Sequence, residues 1–175
     1  MIRVLHIVNS MGVGGIETFL MNLYRTIDKS EYQFDFLLHK KSNSYYEEEI
    51  INMGGQLFYV PTRRDGILKA KSALSSFYSN HPEYQIVHEH VSSLSDIDGL
   101  IYAKKFNKMG RIIHAHSTAA PGNKIHEILH RINKPKVKTA ANIYYSCSDA
   151  ATEWLYSGTG VEHMVEFVPN GIDVK

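Results

Sequence analysis

Apolar runs of four to seven residues alternate along this chain with longer segments in which apolar positions recur every three or four residues. The short runs read as strands: "IRVLHIV" (2–8), "YQFDFLLH" (32–39), "QLFYV" (56–60), "QIVHEH" (85–90), "RIIHA" (111–115), "NIYYS" (142–146) and "HMVEFV" (163–168). Helical stretches lie between them at 15–28, with Phe19, Leu20, Leu23 and Ile27 as the apolar stripe, and at 45–53, 67–80, 96–108, 123–134 and 148–157. Strand and helix take turns almost throughout, which is the signature of crossover units on a parallel sheet. The pattern predicts an α/β fold built on a doubly wound parallel sheet. With no internal repeat, low-complexity tract or long linker, one domain is the simplest count.

Doubly wound sheets bind ligands in the crevice outside the carboxyl ends of their strands. On this chain those ends fall at 9–15, 39–45, 88–93, 114–122 and 146–149, and the chemically unusual residues collect there. The first is "SMGVGGIETF" (10–19), a glycine loop opening a helix. Read as a dinucleotide fingerprint from Gly12, it needs glycine at position 17, where Glu17 stands, and an acidic residue about 20 positions on, where the second strand ends in His39-Lys40-Lys41. Lys40 and Lys41 read either as partners for an extra phosphate or as a solvated loop. A phosphate-binding loop of the G-K-[ST] type is also absent. What remains is a glycine loop whose free N–H groups and helix dipole favour an anion. Glu17 reads either as a carboxylate stabilised by that dipole or as one that binds a sugar hydroxyl or holds the loop.

Two strands end in H-x-H: His88 and His90, then His114 and His116. Alternate strand residues share a face, so adjacent strands would bring four imidazoles together, with Glu89 on the opposite face. Three readings stay open: a zinc site, core histidines bonded to backbone, and polar groups of a ligand site. His116 is the sharpest candidate. Ser117, Thr118, Pro121 and Gly122 follow it, a loop of small hydroxyls and turn residues suited to a polyhydroxylated or phosphorylated ligand. No G-x-S-x-G elbow supports a hydrolase triad.

Charge narrows the partners. The 19 basic and 18 acidic residues leave a net charge of +1, so no global field recommends nucleic acid. A local exception is "NKIHEILHRINKPKVK" (123–138), where Ile125, Ile128, Leu129 and Ile132 form a stripe ringed by Lys124, Arg131, Lys134, Lys136 and Lys138. The pattern predicts a surface helix with its apolar face on the sheet. The other reading is an interfacial patch for anionic lipid, extended by Tyr45, Tyr46 and the loop "PTRRDG" (61–66). Arg63 and Arg64 could also hold an anionic acceptor group. The single Cys147 rules out an intrachain disulfide, and the N-terminus is too short in apolar residues for a signal peptide or span, so the expected location is the cytoplasm with at most peripheral contact at the inner face of the membrane.

In order, "RVLHIVNSMGVGGIETFLMNLYRTID", "YQFDFLLH", "IVHEHVSS", "IIHAHSTA", "IYYSCSDAATEWLY" and the closing "VPNGID" resemble the N-terminal half of the retaining glycosyltransferase family 4 enzymes, above all those of bacterial exopolysaccharide and capsule synthesis. The resemblance implies one half of a GT-B architecture. Residues 1–168 would be a Rossmann-like, acceptor-binding N-terminal domain, and 169–175 the start of a linker to a donor-binding C-terminal domain that carries an E-x7-E motif. It implies transfer of a hexose from a nucleotide-sugar to a saccharide or lipid-linked acceptor, with no cofactor or catalytic metal. Half an enzyme of this kind would be inactive alone. By the same resemblance, Gly14 and Gly15 would approach the donor diphosphate and His116 the transferring sugar. Glu17 matches the family's acidic position after the glycine pair. His88, His90, His114, Ser117 and Thr118 would line the cleft, with Arg63 and Arg64 as acceptor contacts. The competing reading from the residues alone is a stand-alone Rossmann-like module that binds a nucleotide or phosphorylated small molecule without catalysis.

Overall fold

The computed structural model describes residues 1–40, 45–119 and 124–170. Its seven strands form one parallel sheet in the order β3-β2-β1-β4-β5-β6-β7, so strand order reverses between β1 and β4, as a doubly wound sheet requires. The described chain divides into two compact units, residues 1–86 with Asn170, and residues 87–169.

The first unit runs β1 (Ile2–Val8), α1 (Gly15–Thr26), β2 (Tyr32–Leu38), α2 (Glu47–Asn52), β3 (Leu57–Tyr59), a 3-10 turn at Arg63–Asp65 and α3 (Ile67–Asn80). β1 and β2 pair in parallel from Ile2 opposite Tyr32 to Val8 opposite Leu38, and β3 joins with Leu57 opposite Phe36. Helices on both faces make these strands near-continuous apolar runs: Leu5, Ile7, Phe36, Leu37 and Leu38 are all buried. The buried polar residues His6, Gln33 and Asp35 interrupt them. His6 lies against the rings of Phe34 and Phe36, and burial pushes its imidazole down to about 3, so it is neutral near pH 7. Asp35, wholly buried, accepts from Arg3 Nε and Nη2, both at 2.7 Å, from the Tyr84 hydroxyl at 2.8 Å and from the Gln56 backbone N–H at 2.8 Å. That set satisfies the carboxylate, which is the condition for tolerating a buried charge. On α1 the buried stripe is Phe19, Leu20, Met21 and Tyr24, whereas Leu23 is exposed, so the inward face is turned from the one expected.

The second unit opens with β4 (Ile86–Val91) and continues through α4 (Asp98–Lys105), β5 (Gly110–Ala115), α5 (Lys124–Asn133), a 3-10 turn at Lys134–Lys136, α6 (Val137–Ala140), β6 (Ile143–Ser146), α7 (Asp149–Tyr156), a 3-10 turn at Glu162–Met164 and β7 (Val165–Phe167). β6 pairs in parallel with β5, Ile143 opposite Ile112, and with β7, Tyr144 opposite Val165. Ser148 caps α7 by accepting from the Ala151 N–H at 3.1 Å. The buried Tyr156 hydroxyl sits within hydrogen-bond distance of the Ile113 and Tyr145 carbonyls, at 2.9 and 2.8 Å, and pins α7 to the sheet.

Helix α5 contradicts the prediction for it. Ile125, Ile128 and Ile132 are 62%, 56% and 56% exposed, and the residues turned inward are His130 and Asn133. Hydrogen bonds explain the inversion. His130 Nδ1 accepts from the Leu94 N–H at 3.1 Å, Asn133 Nδ2 donates to the Leu94 carbonyl at 2.7 Å, and the His130 ring stacks on Trp154 at 4.3 Å. A second correction concerns Tyr46, expected on a surface patch but buried at 7%, beside an exposed Tyr45. Among the described residues no helix is long and apolar enough to cross a membrane. Lys41, Pro121, Gly122 and the residues from Gly171 onward lie outside the described residues.

Candidate functional site

In the first unit, the loop from β1 to α1 is tied at its start by the Asn9 carbonyl, which accepts from the backbone N–H groups of His39 and Lys40 at 3.2 and 3.0 Å. Met11 is fully buried beneath it, and Val13 is 79% exposed at its crest. Gly14 is the N-cap of α1, and no side chain caps that helix end. Gly14 itself offers no acceptor to the first-turn N–H groups, an arrangement that favours a negative charge from elsewhere at that end.

The two glycines differ in what they permit. Gly14 has an extended backbone, φ −160° and ψ 172°, that any residue adopts. A Cβ there would press on the end of the Glu17 side chain, whose carboxylate folds back over the N-cap and would have to swing aside. That position lets Glu17 meet the positive end of the helix dipole. Gly15 has nothing within 4 Å of where its Cβ would be and is exposed, so nothing among the described residues requires glycine there. Lys40 is exposed, as the solvated-loop reading expects.

Arg63 and Arg64 sit together on the 3-10 turn that follows β3. Thr62 and Asp65 lock this turn reciprocally: Asp65 Oδ2 accepts from the Thr62 N–H and hydroxyl, both at 2.8 Å, and Thr62 Oγ1 accepts from the Arg64 N–H at 3.2 Å.

In the second unit, the H-x-H pairs behave as the strand period requires. The ring centroids of His88 and His90 are 4.0 Å apart, those of His114 and His116 3.9 Å, and those of His88 and His114 5.4 Å across the strands. All four imidazoles thus form one cluster, edged by the Tyr145 ring at 5.9 Å from His88 and 5.8 Å from His114. His88, His90 and His114 are buried, and His116 is half-buried at the strand end. Glu89 points to the other face, where its carboxylate accepts from the Leu100 N–H at 3.0 Å, in the first turn of α4.

A polar contact links two members of the cluster. His90 Nδ1 and His116 Nε2 lie 2.9 Å apart. Either His90 donates and His116 presents a protonated Nδ1, or His116 donates and its Nδ1 becomes an acceptor. His90, His114 and His116 also offer nitrogens within 4.8 Å of one another, the donor set of a three-imidazole metal site. Two nitrogens about 2.0–2.1 Å from one tetrahedral zinc ion stand about 3.3 Å apart, so the observed 2.9 Å matches a shared proton better than two ligands of one ion. Ser117 Oγ is engaged locally, donating to the Ala119 carbonyl at 3.2 Å and accepting from its N–H at 3.4 Å, and Thr118 is exposed beside it.

Trp154 and Tyr145 were invisible as site neighbours in the sequence. Trp154 Nε1 donates to the Ser92 carbonyl at 3.0 Å, at the exit of β4, and Tyr145 reaches the histidines only through the pairing of β6 with β5.

Known proteins resemble this chain in sequence and in fold. The family model described as Glycosyltransferase Family 4 matches residues 13–175. The chain is 32% identical over 178 residues to EpsF of Bacillus subtilis (strain 168), which bears the name of a glycosyltransferase; the match covers 99% of this chain and 46% of that protein. The chain therefore spans about half the length of that curated relative. Among solved structures, Anabaena Alr3699/HepE, in complex with UDP and glucose, is similar with a TM-score of 0.71 at 13% identity, covering 99% of this chain and 45% of that one. The apo form of the lipopolysaccharide outer core galactosyltransferase WaaB has a TM-score of 0.64 at 16% identity, covering 100% of this chain and 47% of that one. These likenesses establish a common fold.

Proposed function

The chain belongs to glycosyltransferase family 4, and from that premise we propose that it is the acceptor-binding N-terminal domain of an enzyme that moves a hexose from a nucleotide-sugar to a saccharide or lipid-linked acceptor in surface polysaccharide synthesis. The observation that carries this reading is the ordered cluster of four imidazoles with His116 at its half-buried end. A ring fixed through one nitrogen at the strand end is suited to orient a sugar hydroxyl. It needs no metal for that role, and none is proposed. EpsF and WaaB support the sugar-transfer class by their names, and the HepE complex with UDP and glucose supports a uridine nucleotide as the donor carrier.

On this reading, the helix end at Gly14 and Gly15 meets the donor diphosphate. The leaving group departs as a phosphate anion, and fixed N–H dipoles at that position stabilise the charge as it develops. Gly15 leaves room for a close backbone approach. Glu17, a carboxylate at the same turn, binds a hydroxyl rather than phosphate. His88, His90, His114, Ser117 and Thr118 shape the sugar side, and Arg63 and Arg64 meet an anionic acceptor. A C-terminal domain supplies the rest of the donor site, the configuration at the anomeric carbon is retained, and the reaction takes place on the cytoplasmic side.

The test uses the full-length gene product with UDP-sugars labelled in the sugar and a membrane extract from the source cells. Label should pass to a non-water acceptor with its anomeric configuration kept. Binding of a nucleotide without transfer under any donor would favour a non-catalytic module instead.

A further inference from the structure

We propose that the groove between α5 and α7 binds an acidic sugar, a pyranose bearing one carboxylate, with Trp154 against the ring and Arg131 and Lys134 on the anion. The inference goes beyond the glycosyl-transfer reading, and its test does not depend on it.

The groove lies wholly within the second unit and holds about 370 Å³, inside the range of about 300–1,000 Å³ usual for small-molecule sites. Ala119, Glu127, His130, Arg131, Lys134 and Trp154 line it, and none of the four clustered imidazoles takes part.

Trp154 is set in place before any ligand arrives. Its Nε1 donates to the Ser92 carbonyl at 3.0 Å, and one face stacks on the His130 ring, with centroids 4.3 Å apart and planes 16° from parallel. His130 is buried, and its Nδ1 accepts from the Leu94 N–H at 3.1 Å. Trp154 stays half-buried, so part of the indole is left to the groove. A fixed indole with open surface is a platform for the C–H face of a sugar ring.

Charge selects among sugars. Arg131 is exposed and Lys134 half-buried, and among the described residues neither side chain has a hydrogen-bond or ion-pair partner. Both act on the His130 ring: burial first, then the charge of Lys134 and, less strongly, that of Arg131 push its imidazole down. The dipole of α5 favours cations at this end of the helix and accounts for their sign. It does not account for their meeting a fixed indole in one recess. Glu127, four positions before Arg131 and hence on the same face of α5, adds the groove's one carboxylate. Two cations against one acid suit a singly negative occupant whose hydroxyls donate to Glu127. A doubly charged phosphate would meet Glu127 as a repelling neighbour, and a neutral sugar would leave both cations unused. A hexuronate engages the indole, the cations and the carboxylate together.

The test is calorimetric titration of the full-length gene product with methyl α-glucuronide, with methyl α-glucoside, which lacks the carboxylate, and with inorganic phosphate. The glucuronide should bind with a millimolar Kd, at least about tenfold tighter than either of the others. Arg131→Gln with Lys134→Gln should lose at least about tenfold of that affinity, with a Tm within about 2 °C of the parent because neither side chain has a partner to lose. Indole fluorescence should change as the glucuronide is added, and Trp154→Phe should abolish the change. The proposal fails if the glucuronide does not bind or binds no better than the glucoside. It fails if phosphate binds as tightly as the glucuronide, which would mark an anion site with no sugar platform. It fails equally if the double variant binds the glucuronide as the parent does, since the sugar then sits elsewhere. Sugar transfer is read in none of these titrations, so failure here leaves the glycosyl-transfer reading standing.

Discussion

His116 is held by His90: their facing ring nitrogens are 2.9 Å apart, across from one strand end to the next. His90 is buried and His116 half-buried, so the contact connects an inner ring to one nearer the strand end. On this account His90 is a positioning residue. His90→Leu removes the polar anchor and keeps the bulk. In the full-length enzyme it should lower kcat by about tenfold or more with a smaller change in KM. His90→Gln, which keeps a donor and an acceptor, should recover part of the loss. Equal effects of Leu and Gln would mean that the hydrogen bond plays no part.

The glycine pair gives two opposed outcomes. Gly15→Ala meets no atom within 4 Å and should leave the fold intact, gaining up to about 1 kcal/mol of helix stability. Its methyl would stand where the donor diphosphate is proposed to approach, so activity should fall as stability rises. Gly14→Ala puts a methyl against the Glu17 carboxylate, and the additional change Glu17→Ala should relieve that conflict in a double-mutant cycle of thermal unfolding. A Gly15→Ala enzyme with unchanged kcat/KM would remove the helix end from the donor site.

Asp35 should be intolerant of change for structural reasons alone. It is wholly buried and accepts from Arg3, Tyr84 and Gln56. Asp35→Ala leaves the Arg3 guanidinium without its carboxylate and should cost about 3–5 kcal/mol in denaturant unfolding. A loss below about 1 kcal/mol would show that the pair is worth no more than a surface contact.

Acid should weaken the fold through His6. Burial lowers the His6 imidazole from 6.5 to about 3, so the unfolded chain binds the proton more readily than the folded one. The sign follows directly: the stabilising effect is complete above about pH 6.5 and is lost as pH falls toward 3, at about 1.4 kcal/mol per pH unit. His6→Phe should flatten that part of the stability–pH curve, measured by urea unfolding between pH 7 and pH 4. An unchanged slope in the variant would assign the acid sensitivity to other groups.

The strands were legible because each is a bounded apolar run: the prediction for β1 coincides with Ile2–Val8, and that for α3 with Ile67–Asn80. The histidine cluster was legible for a similar reason, since H-x-H on a strand can only place both rings on one face. The 2.9 Å contact between His90 and His116 was not, because it depends on how two strands align, which no local pattern states. Helix α5 shows the sharper limit. Its sequence says that two faces differ, and only the capture of Leu94 by His130 and Asn133 says which of them turns inward. The fold of Glu17 over Gly14 was equally out of reach, because it rests on a rotamer rather than a spacing.

The most direct test of the account is the turnover of the full-length His116→Ala enzyme with its labelled nucleotide-sugar donor, alongside its thermal unfolding. The account predicts a loss of at least about tenfold in turnover with the fold and donor affinity largely preserved. Turnover close to that of the parent would contradict it and remove His116, and the imidazole cluster behind it, from the chemistry.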